Sequence, residues 1–310
     1  MTKRDEKFYT NIGEKHPLYL ILNKLRTVAF QKLTKQSTNL FLRGKDIISV
    51  VPQINGIHEP ELTTLINKFS EAGYGDFLID IGANIGLTSC QNGNNFKEVH
   101  MFEPNPLCCH ILAVNTKIAL TKSNCEIYPF GLGSEDKSVK LTVPKHNWGG
   151  AFVNDRSNSY DENILAGKDG FQHIDPKNYF TIDIKIKNTT IELKALFEKL
   201  SEKNLKRGVI KIDVEGYESE ILRGIAHALP KSCSAYIVFE SWDKDFPIDE
   251  VKAEFGRDIE VGKITQNLPW KKEWPKLLKA LSLLFSKRIS SKISPVVKGE
   301  SSGDIVFLVR

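Results

Sequence analysis

Acids stand where strands meet loops at several points of this 310-residue chain. In "VIKIDVEG", Lys211, Asp213 and Glu215 occupy alternate positions, which on an extended backbone fall on one side. Glu240 ends a second apolar run, "AYIVFES". In open α/β sheets ligands bind outside the carboxyl ends of the strands, so carboxylates there are placed to take a proton from a weak nucleophile. Asp213 is the first candidate for a general base. Glu215 and Glu240 are positioning groups or alternate bases, and Lys211 lies one step deeper.

A glycine loop follows a third apolar run, "FLIDIGANIGLTS", with Asp80, Gly82, Ala83, Asn84 and Gly86 in order. The dinucleotide fingerprint has three glycines spaced G-x-G-x-x-G for a pyrophosphate; here an acid sits two residues before the first glycine and the spacing differs. A carboxylate repels a pyrophosphate but can pair with an ammonium, such as the one on S-adenosylmethionine. Glu103, in "HMFEPNP" with Pro104 and Asn105, ends the next strand, where an acid accepts hydrogen bonds from ribose hydroxyls. The set reads as a cofactor site and disfavours an NAD-dependent oxidoreductase or epimerase.

These residues need a frame. Strands are expected at "FLIDI", "EVHMFEP", "CEIYPFG", "SVKLTV", "GVIKIDVEG" and "AYIVFES", and helices over 86–94, 106–119, 189–203 and 217–228. Such alternation gives an α/β fold whose mostly parallel sheet has helices on both faces. Before it, "PELTTLINKFSEAG" spaces Leu62, Leu65, Ile66 and Phe69 as a helix. Residues 1–57 form an N-terminal helical extension: an apolar helix after Pro17, able to cap a face of the core or bind a partner and expected to be a packed surface helix, and a short alternating run, "LFLRGKDIISVV". Residues 58–310 form the main domain. Within it 144–178, rich in Asn, Asp, Gly and Ser, is long for a loop and marks a functional cover; His146 and Trp148 in it are candidates for holding an acceptor.

The net charge of +5 is regional: 271–292 holds seven Lys or Arg and one acid. The near-neutral remainder argues against a nucleic-acid binder, and a non-catalytic module would leave Asp213 and Glu215 unexplained. Five cysteines, none in a C-x-x-C pair, fit a reducing cytoplasm. No secretion leader or spanning run is visible. Seven histidines show no zinc spacing; the chemistry needs no metal, though clustered carboxylates are of the type that holds Mg²⁺.

"DIGANIG" (80–86), "FEPNP" (102–106) with Asn115 in the following helix, "GLGSEDKSVKL" (131–141) and "IKIDVEGYESEILRG" (210–224) followed by Glu240 together resemble the FkbM family of S-adenosylmethionine-dependent methyltransferases. The resemblance covers about 77–242 and implies a class I methyltransferase Rossmann-like fold, with a seven-stranded sheet closed by an antiparallel terminal strand, which "GDIVFLVR" suits. It implies Gly131 and Leu132 beside the adenine, S-adenosylhomocysteine as product, and methylation of oxygen on sugars or polyketide-like natural products. Residues 270–293 read as a basic amphipathic helix suited to an anionic membrane surface. The expectation is a cytoplasmic O-methyltransferase acting on a surface glycan or glycolipid of lipopolysaccharide or capsule type, peripherally associated through 271–292, with a secondary-metabolite hydroxyl as the alternative acceptor.

Overall fold

The computed structural model describes residues 16–155, 158, 160, 164, 175–243, 245–267, 275, 278, 290–296 and 302–310. Its centre is β1 (Phe77–Ile81), buried along its whole length. Period-2 alternation sends Phe77, Ile79 and Ile81 to one face and Leu78 to the other. The first face packs on α6 (Thr189–Glu202) and α7 (Glu218–Ala228) through Leu193, Phe197, Ile221 and Ile225. The second packs on α3 (Pro60–Phe69) and α5 (Pro106–Ala119) through Leu62, Ile66, Phe69 and Leu112. A continuous apolar run is what burial on both faces demands.

Around β1 run β2 (Glu98–Phe102), β3 (Asn124–Tyr128), β8 (Arg207–Ile212) and β9 (Ser234–Ser241), all parallel, in the order β3-β2-β1-β8-β9. Beyond β9 lie β12 (Gly303–Val309), β10 (Ile259–Asn267) and β11 (Ser290–Pro295), each antiparallel to its neighbour. The class I methyltransferase order is present with its antiparallel terminal strand, but the strand count is eight, because β11 adds an outer edge to β10. The order in which strands are added reverses between β1 and β8, which opens a crevice at their carboxyl ends.

"SVKLTV" is a strand but belongs elsewhere. As β5 (Lys137–Pro144) it joins a second sheet with β4 (Gly131–Gly133), β6 (Phe152–Val153) and β7 (Tyr179–Asn188), in the order β4-β7-β5-β6. Leu132, Leu141, Ile184 and Ile186 of this sheet continue the main core, so it roofs the crevice instead of extending the parallel sheet. The sequence reading lacked β7, the strand that makes a second sheet possible.

The N-terminal extension differs from expectation twice. Helix α1 (Pro17–Leu33) has no buried residue, so it does not pack on the body. The alternating run is not a strand: Asp46 accepts from Ile48 N (3.4 Å) and starts α2 (Ile47–Asn55). The stretch between the helices is pinned by Asn115, which accepts from Phe41 N (2.7 Å) and donates to Phe41 O (3.1 Å) and Ile85 O (2.8 Å). The helix expected over 270–293 lies outside the described residues except at Pro275, Leu278 and 290–293, and the last four belong to β11.

Candidate functional site

The crevice holds a cavity of about 250 Å³ between the sheet's carboxyl edge, the roof and the extension. Its floor is the glycine loop. Gly82 and Ala83 donate to Phe102 O (2.9 and 3.0 Å), and Gly82, Asn84 and Gly86 all have positive φ. A Cβ on Gly82 would lie 1.9 Å from the Asp213 carbonyl oxygen, so only glycine lets β1 and β8 close on one another here. Helix α4 (Leu87–Asn92) starts at Gly86.

Glu103 forms one wall. Its carboxylate accepts from Asn84 N and Asn105 N, both at 2.8 Å. Burial, the largest influence, outweighs those donors and raises its pKa to about 7. Pro104, Gly131 and Leu132 stand beside it. The opposite wall carries Lys211, Asp213, Glu215 and Glu240, the i, i+2 set of β8 and the end of β9. Lys211 Nζ lies 2.9 Å from Asp213 and 3.5 Å from Asp80. Burial alone would discharge this lysine, but Asp213, then Asp80 and Glu59, push its pKa well above the usual lysine value.

Several expected residues take other places. Asp80 is fully buried on the α4 side of β1, accepting from Ser89 Oγ (2.5 Å) and facing Lys211; it lies behind Lys211 and not on the cavity wall. Gly86 and Asn105 are off the wall as well. Gly86 lets α4 approach Leu112, and Asn105 caps α5 by accepting from Leu107 N (3.0 Å). His146 is likewise off the wall, its carbonyl accepting from Ile47 N (3.1 Å). Trp148 does line the cavity, but its ring is clamped: Arg43 sits 4.2 Å over it, Phe180 meets it edge-on, and its backbone N–H donates to Asp46 (3.3 Å). It pins the roof to the extension.

Two residues absent from the sequence reading complete the acidic wall. His58 and Glu59 both line the cavity at the start of α3. Glu59 holds a left-handed backbone, φ 44°, a conformation that costs a non-glycine residue about 1–3 kcal/mol and clusters at functional sites. Its pKa rises to about 7 through burial, then Asp213, with Lys211 opposing and Asp304 and Glu240 adding. Its side chain is still 47% exposed. Water reaches that exposed part of the carboxylate and screens it from its neighbours. Asp304, behind Glu240, is raised to about 6 by burial and then Glu240. His58 is lowered to about 4 by burial and then Lys211, hence neutral at pH 7; its Nε2 is 3.7 Å from Glu59. A signal did exist: α3 runs antiparallel into β1, so its first residues return to β1's carboxyl edge.

The arrangement fits a sulfonium nucleoside. Glu103 offers carboxylate oxygens to a ribose, the glycine loop leaves room a Cβ would fill, Asn84 Oδ1 is buried without a partner, and the far wall is negatively charged. Among the described residues, no group of three or more His, Cys, Asp or Glu is arranged to hold a metal ion, and no helix is long and apolar enough to cross a membrane.

Comparison with known proteins agrees. The Methyltransferase FkbM domain matches residues 80–260. "Methyltransferase sdnD" of Sordaria araneosa is 26% identical over 203 residues, covering 59% of this chain and 78% of that protein. "Methyltransferase 1" of Beauveria bassiana is 28% identical over 158 residues, covering 48% and 58%. Among solved structures, the O-methyltransferase from Bacillus cereus in complex with SAH aligns with a TM-score of 0.39 at 8% identity, covering 100% of this chain and 98% of that one. Precorrin-6y C5,15-methyltransferase from Geobacter metallireducens aligns with a TM-score of 0.40 at 11% identity, covering 88% and 94%. The chain belongs to the FkbM family of methyltransferases, and its methyl donor is S-adenosylmethionine.

Proposed function

We propose that this protein transfers the methyl group to a hydroxyl oxygen, with Glu59 receiving the hydroxyl proton, and that the acceptor is a sugar of a surface glycan or glycolipid. When bound, S-adenosylmethionine supplies a methyl carbon on a sulfonium sulfur, which keeps the electrons of the broken C–S bond. Glu103 and the glycine loop hold the nucleoside end. Across the cavity, Glu59, Asp213, Glu215 and Glu240 face the space left for the acceptor.

The observation that carries the reading is the acidic wall opposite Glu103. A hydroxyl is a weak nucleophile at neutral pH, and a base works best with a pKa near the working pH. Glu59 meets that condition, whereas Asp213, the first candidate from sequence, is held at 2.9 Å by Lys211 and serves better to fix Lys211 and the shape of the wall. Asn147 and Glu215 beside the clamped Trp148 suit a polyhydroxylated acceptor.

A second reading has its own support. Leu141, Phe152, Val153, Ile184 and Ile186 make the roof apolar, which favours a hydroxyl on a less polar secondary metabolite. The test is transfer of isotopic methyl from S-adenosylmethionine to matched panels of glycolipids, soluble glycans and polyketide-like alcohols. Label on a sugar oxygen, lost in Glu59→Gln, supports the first reading; label only on polyketide-like alcohols replaces it with the second. Label on nitrogen or carbon refutes both.

A further inference from the structure

The extension carries a surface that the catalytic reading does not use. In α1, Leu18, Ile21, Leu22, Leu25, Val28 and Leu33 recur at helical spacing, and all are exposed, Leu25 by 61%. Asn23, Lys24, Thr27 and Gln31 lie on the opposite side of the helical wheel, together with Leu20 and flanked by Tyr19 and Phe30, which are exposed too, so apolar groups extend beyond the leucine stripe. The apolar surface continues past the helix. Thr38 N donates to Pro52 O (3.1 Å), joining the turn after α1 to α2, and α2 exposes Ile47, Val50, Val51 and Ile54. Phe41, 63% exposed, is bonded through its backbone to Asn115 on α5, where Leu107, Val114 and Ile118 are exposed as well. Contiguous exposed apolar surface on this scale marks a binding face.

Charge identifies the partner. Residues 16–58 hold six Lys or Arg and one acid, Asp46, which is 3% exposed and bonded to Arg43. Residues 104–125 hold two Lys and no acid. The face therefore shows cations and hydrocarbon with no exposed carboxylate. Pairing this face with itself in a second copy would oppose like charges, and a nucleic acid would find phosphate contacts but no use for the leucines. An anionic lipid surface uses both features.

We propose that α1 and the exposed side of α2 dock in the plane of an anionic membrane surface. Ile48 of α2 lines the cavity while its neighbours Ile47, Val50 and Val51 face outward, so docking brings the cavity's α2 wall to the lipid and lets an amphiphilic acceptor enter from it. The proposal stands independently of which acceptor is methylated.

Flotation of the full chain with vesicles of pure phosphatidylglycerol or pure phosphatidylcholine tests it. Binding to phosphatidylglycerol at low salt is expected, weakened by raising salt and weak on phosphatidylcholine. Leu22→Glu/Leu25→Glu should lower partitioning by more than about tenfold, since each buried leucine is worth about that factor. Lys24→Glu/Arg26→Glu should lower it only on phosphatidylglycerol. Both variants should keep wild-type affinity for S-adenosylhomocysteine, because α1 is remote from the cavity. Absence of binding overturns the proposal, as does binding untouched by both variants, or a dimer in light scattering that Leu22→Glu/Leu25→Glu dissolves without any vesicle binding.

Discussion

Replacing Glu59 by Gln separates the two candidate bases. Glutamine keeps the size and the hydrogen-bonding reach but cannot take a proton. General-base catalysis contributes about 10²–10⁴-fold, so kcat should fall by that range while affinity for S-adenosylhomocysteine holds, because Glu59 faces the wall opposite Glu103. The pH profile adds a second readout. With a pKa of about 7, the ionised fraction is ~0.1 at pH 6 and ~0.9 at pH 8. In the wild type kcat/KM should therefore rise by about tenfold across that interval and then level. Saturating cofactor brings a sulfonium cation near the acidic wall and favours the carboxylate, so the inflection of kcat should move below that of the unliganded enzyme. Asp213→Asn removes the partner of Lys211 and one of the charges that raises Glu59, so it should raise the acceptor KM and move the inflection to lower pH without abolishing it. The assay is initial-rate methyl transfer from pH 5.5 to 9. A Glu59→Gln enzyme within a few-fold of wild-type kcat, or one with the inflection unmoved, refutes the assignment and returns the base to Asp213.

Three further outcomes follow from the geometry of the fold. Glu103 has its pKa raised to about 7, and a ribose diol donates more strongly to its ionised form; calorimetric affinity for S-adenosylhomocysteine should drop below pH 7, by at most about tenfold per pH unit, and Glu103→Gln should bind weakly with no such slope. Gly82→Ala puts a methyl 1.9 Å from the Asp213 carbonyl at φ 82°; cofactor binding should vanish and the melting temperature should fall by several degrees, the signature of a few kcal/mol of strain. Asn115→Ala strips Phe41 and Ile85 of three hydrogen bonds, a loss of about 2–3 kcal/mol. Proteolysis between α1 and α2 should then become faster, and a cleavage rate equal to wild type would show that the extension is held by other contacts.

How much of this was legible in the sequence depended on how local each signal was. The candidate cofactor end lies within one strand–loop–helix unit and the strand after it, so Gly82, Asn84 and Glu103, which all line the cavity, could be named from spacing alone. The orientation of Asp80 was not legible there, because sequence shows that an acid ends a strand but not to which face the pleat turns it. Alternation along "FLIDI" settles this once Phe77, Ile79 and Ile81 are known to face α6 and α7, since Asp80 must then face α4 and Ser89. The second sheet was hidden for a different reason: β7 lies far from β5 in the chain, beyond an irregular stretch, and its alternating "TIDIKI" has meaning only when β5 lies alongside.

The acceptor end is the least local part, and its composition follows from that. The FkbM match begins at Asp80, yet Ile48, His58 and Glu59 precede it and still line the cavity. A parallel strand order fixes where β1, β8 and β9 end, and so fixes Asp213 and Glu240, whereas the opposite side of the acceptor space is closed by whatever precedes α3. Changing that segment changes what the cavity admits without disturbing the strands that hold the cofactor. On the proposed function, acceptor choice would be set by the extension and by the roof it is tied to through Asp46 and Trp148. Replacing residues 38–59 should alter the choice of acceptor before it alters affinity for the cofactor.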